Sequence, residues 1–319
     1  MPAPLPPPRP AAFPAWTRRA WSAALLGALL LLSGAAPPAP GRRVELWFGG
    51  DVHLGGGGKG ALGPLAALVR GADGIVNLEG PVAPAAPRGP GLKLHNAPAA
   101  LAELRALGVA VAGIANNHAG DAGPSGARAT AQAVRASGLL PAGGPAGAAV
   151  LERNGLRIAV TAHDLTGGVP PALAEELKAA RASADVLIAT FHVTGPAVYA
   201  PRPELRRAVE VALAAGARGV VAHGTHAVAK VERRGDAVIA WGLGNVAFAC
   251  DCTDERDALL LRVLLVEGRV ERVELVPIDA GLSGGKAQPS EDAGGVLDLL
   301  ESLGGTPFRR EGGRGVLAP

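Results

Sequence analysis

Short apolar runs recur along this chain, and stretches of helical pattern separate most of them. RVELWF (43–48), DGIVNL (73–78), VAVAGIA (109–115), LRIAVTA (156–162), ADVLIATF (184–191) and ARGVVA (217–222) each read as a strand. Between them, ALGPLAALV (61–69), APAALAELRALG (97–108), GARATAQAVRASG (126–138), PPALAEELKAARAS (170–183) and RPELRRAVEVALAAG (202–216) read as helices. Apolar strands alternating with helices predict an α/β domain with a largely buried sheet. DAVIAWGLG (236–244) and ALLLRVLLVEGRVERVELVPI (258–278) follow with no helix between them. They predict an added antiparallel portion, its last two strands a hairpin turning at Glu267-Gly268. Residues 281–319 are Gly-rich and polar, so a loosely ordered tail is expected there, relieved by one short amphipathic helix, VLDLLESL (296–303).

The first 41 residues stand apart from this pattern. Arg18 and Arg19 precede AWSAALLGALLLLSGAA (20–36), which PPAPG follows. A positive start, an apolar run and small residues make a secretory signal, and the run is shorter than the roughly 20 residues of a membrane-spanning helix. No A-x-A site is unambiguous, so a cleaved signal and a retained N-terminal anchor both stay open. Either way the domain, residues 42–280, is expected to work outside the cytoplasm, in the periplasm or at the cell surface. The net charge of +3 equals the leader's three arginines, Arg9, Arg18 and Arg19. The rest of the chain is balanced, which argues against a nucleic-acid binder. Only Cys250 and Cys252 occur, separated by one residue. That spacing would strain a mutual disulfide, so free thiols at a strand end are expected.

Polar residues fall where the strands end. WFGGDVH carries Asp51 and His53, GIVNLEG carries Asn77 and Glu79, and GIANNH carries Asn117 and His118. IATFH ends in His192, and VVAHGTH in His223 and His226. Ligands of open α/β sheets bind outside the carboxyl ends of the strands. One histidine at a strand end is more often a hydrogen-bonded structural residue than a ligand; the weight lies in five strand ends agreeing. The residue types mix nitrogen and oxygen donors without thiolate, a set that suits Mn, Zn or Fe better than Ca or Mg. Eight donors exceed what one ion takes, and two divalent ions would use them. His95 is read as a loop histidine and His163 as structural. Asn116 is expected to shape the turn before Asn117. GDVHLGGGGKG lacks the spacing of a nucleotide P-loop, and no G-x-S-x-G elbow is present.

The ordered set FGGDVHLGG, IVNLEGPV, GIANNHAGDAG, ATFHVTG, GVVAHGTHAV and AWGLGNVAF resembles the capsule-synthesis protein CapA family, the poly-γ-glutamate (PGA_cap) biosynthesis domain, over about residues 43–250. The resemblance implies a metallophosphoesterase-type fold, a four-layer α/β/β/α sandwich with a dinuclear metal site. By that resemblance Asp51 and His53 bind the first metal, and Asn117 binds the second. Asn77 or Glu79 bridges the two, and Glu79 is favoured because a carboxylate can span two cations. His118 acts on the leaving group, while His192, His223 and His226 complete the metal set. Two departures stand out. The family's GHHPH is AHGTH here, so Gly224 replaces a histidine, and HWGxEY has become HVTGPAVY.

The implied activity is metal-dependent hydrolysis of a phosphoester or of an amide in an anionic polymer such as poly-γ-glutamate; the sequence does not choose. The implied partner is a membrane-bound polymer synthase. Against the enzyme stands a non-catalytic accessory subunit of polymer synthesis or export, which the loss of a histidine at 224 favours.

Overall fold

The computed structural model describes residues 41–195 and 199–318, together with Ala3. The expected signal or anchor lies outside the described residues. No helix among those described is long and apolar enough to cross a membrane.

Residues Arg42–Pro319 pack as one unit of mixed α/β structure with two sheets. In chain order the strands are β1 (Arg43–His53), β2 (Asp73–Leu78), β3 (Val109–Gly113), β4 (Leu140–Ala142), β5 (Ala149–Arg153), β6 (Leu156–Asp164), β7 (Val186–His192), β8 (Gly219–His223), β9 (Val231–Arg234), β10 (Ala237–Ala240), β11 (Asn245–Phe248), β12 (Asp257–Val266) and β13 (Arg269–Asp279). Two-residue strands β14 (Gly281–Leu282) and β15 (Gln288–Pro289) and a last hairpin, β16 (Phe308–Glu311) and β17 (Arg314–Leu317), complete them. The helices are α1 (Ala66–Val69), α2 (Ala99–Ala106), α3 (Gly123–Ala136), α4 (Leu173–Ala182), α5 (Pro203–Ala214) and α6 (Ala293–Ser302).

The first sheet runs β16-β17-β13-β12-β1-β2-β3-β4, and the second runs β5-β6-β7-β8-β10-β9. β1 to β4 are parallel, as are β6, β7, β8 and β10. Parallel strands buried on both faces are nearly continuous in apolar residues, and every residue of β7, VLIATFH, is buried. The antiparallel addition is β12 and β13, whose turn places Glu267 at φ 50° and Gly268 at φ 77°. Both values suit a two-residue hairpin.

Three apolar clusters hold the unit. One joins the facing sides of the two sheets, with Phe48, Val111, Ile158, Ile188 and Leu261. The second packs α2 and α3 on the first sheet through Leu101, Leu104 and Val134. The third packs α4 and α5 on the second through Leu177, Val209 and Ala212. Two expectations need correction. The tail after residue 281 is built into the fold: Val296, Leu297 and Leu300 of α6 join the inter-sheet cluster, and β17 pairs with β13. Its glycines hid three buried apolar residues at helical spacing. Cys250 and Cys252 are bonded to each other, because the turn after β11 brings their Cα atoms to 5.2 Å, within the span of a disulfide.

β1 changes partner midway. Arg43–Phe48 pair antiparallel with β12, whereas Asp51–His53 pair parallel with β11. The switch needs Gly49-Gly50. A Cβ on Gly50 would lie 1.8 Å from the Gly244 carbonyl oxygen, so only glycine lets the two backbones approach. Asp51 N then donates to Gly244 O at 3.1 Å.

Candidate metal centre

Register sets the first contacts. Asp51 lies opposite Asn77 on β2 and opposite Asn245 on β11. On the second sheet His192 lies opposite His223 and Asp164. The two sheets meet where Gly224 N, just after β8, donates to Asp51 Oδ2 at 2.9 Å.

Around this junction Asp51, Glu79 and His192 each offer a ligand atom, and these atoms lie within 4.8 Å of one another. The three side chains come from β1, the end of β2 and the tip of β7, and all are buried. His192 Nε2 lies 2.8 Å from Asn117 Oδ1. Asn116 donates to Asn77 Oδ1 at 3.1 Å and to Leu78 O at 2.9 Å, and its own oxygen accepts from Gly80 N. It shapes the turn by tying β2 to the loop after β3. With its oxygen held by Asn116, Asn77 turns its nitrogen to Asp51 Oδ1 at 2.8 Å and toward His192 Nδ1 at 3.3 Å. In this arrangement Asn77 positions the neighbouring groups.

His226 Nδ1 lies 3.3 Å from Asp51 Oδ2 and 2.9 Å from Asn245 Oδ1. His223 Nδ1 is 3.8 Å from Asp51 Oδ1. His53 lies to one side, its Nε2 donating to His95 O at 3.0 Å. Phe248 packs against the rings of both His53 and His226. His118 stands on the turn after Asn117. Its Nδ1 is 2.8 Å from Asp121 Oδ2, and Asp121 is itself held by Leu94 N and the Lys93 ammonium. His163 lies apart from the cluster, 3.4 Å from Glu176.

The donors suit a cation. Burial and the Asp51 carboxylate push Glu79 well above the usual carboxylate range, against the opposing charge of His226. Among the described residues Glu79 Oε2 has no hydrogen-bond partner, nor do Nδ1 of His53 and Nδ1 of His223. Buried polar atoms are rarely left so. Burial lowers His53 and His192 to about 4, so at neutral pH both present the unprotonated ring that binds metal. His226 differs. Burial opposes its charge, but Asp51 outweighs burial and raises it to about 9. Burial likewise opposes the Asp51 charge, but His226, His223 and His192 hold its carboxyl far below the usual range.

Four residues that the strand-end pattern did not select are part of this arrangement: Asn245, Asp121, Asn96 and Gly224. Asn96 accepts from Leu54 N and donates to Glu79 O, both at 2.8 Å, and so ties β1 to Glu79. Asp121 had a signal in the sequence, three residues beyond His118 on a glycine-flanked turn. Asn245 had only its place after a Gly-Leu-Gly run.

Comparison with known proteins gives the family. The model of the family described as bacterial capsule synthesis protein PGA_cap matches residues 45–250. The chain belongs to the PGA_cap family. That family lies in the metallophosphoesterase-like superfamily. No curated protein matches the sequence. A solved structure of a hypothetical protein from Thermus thermophilus is similar in fold, with a TM-score of 0.52 at 17% identity, covering 74% of this chain and 99% of that one.

Within the PGA_cap pattern the departure at Gly224 now has a physical reason. Its φ is +87°, and a Cβ there would lie 2.2 Å from Val193 O and 2.6 Å from His192 Nε2. This backbone has no room for a histidine at 224. What the position supplies is the N–H that Asp51 accepts.

Proposed function

We propose that this PGA_cap protein is a metal-dependent hydrolase with a dinuclear centre of Mn, Zn or Fe, acting in capsule or poly-γ-glutamate synthesis or export. The observation that carries this reading is the convergence of Asp51, Glu79 and His192 to within 4.8 Å. These three would hold the cations, with Asn117, His223, His226 and His53 around them and Asn77 as a positioning residue. When bound, such cations supply Lewis acidity and lower the pKa of a water toward neutrality. The chain supplies the proton transfer. Asp121 accepts from Nδ1–H of His118, and in the doubly protonated ring Nε2–H would give its proton to the leaving oxygen and leave the ring neutral. The three apolar clusters are consistent with the four-layer α/β/β/α sandwich of the superfamily. We place the protein outside the cytoplasm, secreted or anchored by its leader, beside a membrane-bound polymer synthase.

The test is metal analysis of the purified chain and hydrolysis of bis(4-nitrophenyl) phosphate with and without Mn. Asp51→Asn should lose metal and turnover together. His118→Ala should keep metal and lose turnover. If neither substitution changes either measurement, the assignment is wrong. A non-catalytic accessory role is the second reading, favoured by the glycine where the family has a histidine. It predicts bound metal without turnover.

A further inference from the structure

Beside the cluster lies a cavity of about 850 Å³, within the size range of small-molecule sites. It runs between α3, the turn after β4, the end of β6 and α4. Two of its lining residues belong to the surroundings of the metal centre: Asn116, which pins Asn77, and Asp164, the register neighbour of His192. The cavity therefore borders the residues that surround the site. Its walls are mostly alanine, glycine and proline, with Ala127, Ala148 and Ala179 facing it from three segments. Among the described residues no lysine or arginine lines it, and the carboxylates that do are Asp164 and Glu176.

This lining is the wrong chemistry for a polyanion. A γ-glutamyl chain carries one carboxylate per residue. Seated here, each would lose water against apolar walls and face carboxylates of its own sign with no cation to pair it. An uncharged apolar group meets neither cost and gains from burial. We propose that the cavity is the subsite for an organic group carried by the scissile ester, and that this group is apolar and uncharged, of alkyl or aryl type. The assignment rests on the hydrolase reading and narrows it to esters of such groups.

The test uses the full chain and N-phenyl-1-naphthylamine, a neutral apolar dye. Saturable binding is expected. Ala127→Trp and Ala148→Trp place a large ring in the cavity from half-buried and exposed positions. Each should weaken dye binding at least tenfold with metal content and melting temperature unchanged. Tetra-γ-glutamate should not displace the dye. Among 4-nitrophenyl phosphodiesters, an octyl or phenyl second group should exceed a carboxyalkyl one about tenfold in kcat/KM, and both tryptophan variants should erase that preference. Absent saturation, unchanged affinity in both variants, displacement by the γ-glutamyl tetramer or no such preference overturns the cavity assignment. A chain that binds dye as described but holds no metal and turns over no ester overturns the hydrolase reading instead, and with it the link to a scissile bond.

Discussion

Replacing Gly224 by alanine, and separately by the histidine of the family pattern, tests whether this position is a lost ligand or a required glycine. Its φ of +87° is one that side-chain-bearing residues avoid, and the added Cβ would sit 2.2 Å from Val193 O and 2.6 Å from His192 Nε2. The conformation costs a non-glycine residue about 1–2 kcal/mol, and forcing atoms into a packed site about 1–3 kcal/mol more. The sum, about 2–5 kcal/mol, corresponds to a fall in melting temperature on the order of 3–9 °C for a domain of this size. Relief of the clash moves the backbone whose N–H reaches Asp51 Oδ2 at 2.9 Å. It also pushes on His192, one of the three converging ligands. Both variants should therefore melt lower and hold less metal than the parent chain, histidine no better than alanine. The assay is a thermal melt with and without chelator, alongside metal analysis. A Gly224→Ala chain melting within about 1 °C of the parent, or a Gly224→His chain that gains metal, refutes the argument.

Three more outcomes are expected. The metal-free chain should be most stable near pH 6.5. His53 and His192, held at about 4 against an ordinary 6.5, bind fewer protons folded than unfolded, so stability falls as pH drops from 6.5 to 4. His226, raised to about 9, binds more protons folded, so its contribution is complete below 6.5 and is lost as pH rises through 9; the raised Glu79 acts in the same direction. Urea midpoints in chelator at pH 4.5, 6.5 and 9 measure this, and a flat profile contradicts it. Asn245→Ala removes a fully buried acceptor from His226 Nδ1 and should cost about 1–3 kcal/mol, with the His226 titration by NMR moving down from about 9. Reducing Cys250–Cys252, a bond with a sequence separation of 2, should cost only on the order of 1–2 kcal/mol because so short a loop restricts the unfolded chain little; a much larger drop on adding reductant in a melt would contradict that.

The strand-end residues were legible because period and position suffice to find them. A polar side chain closing an apolar run in a parallel sheet has one place to go, the carboxyl edge, and Asp51, Glu79, Asn117 and His192 all lie there. The α/β class and the β12–β13 turn followed from the same local patterns. Strands β4, β9 and β11, of three or four residues, were too short to show a period. The tail was misjudged because glycine content outweighed Val296, Leu297 and Leu300.

The sequence by itself determined which residues stand at strand tips, since neighbours along the chain set that. The tertiary structure alone decided which of them meet. Asp51 and the Gly224 N–H are 173 residues apart in sequence and on different sheets; their contact depends on how two sheets pack and on where β1 leaves β12 for β11. A distance between separate sheets comes from side-chain volumes across the inter-sheet core, which no local pattern encodes.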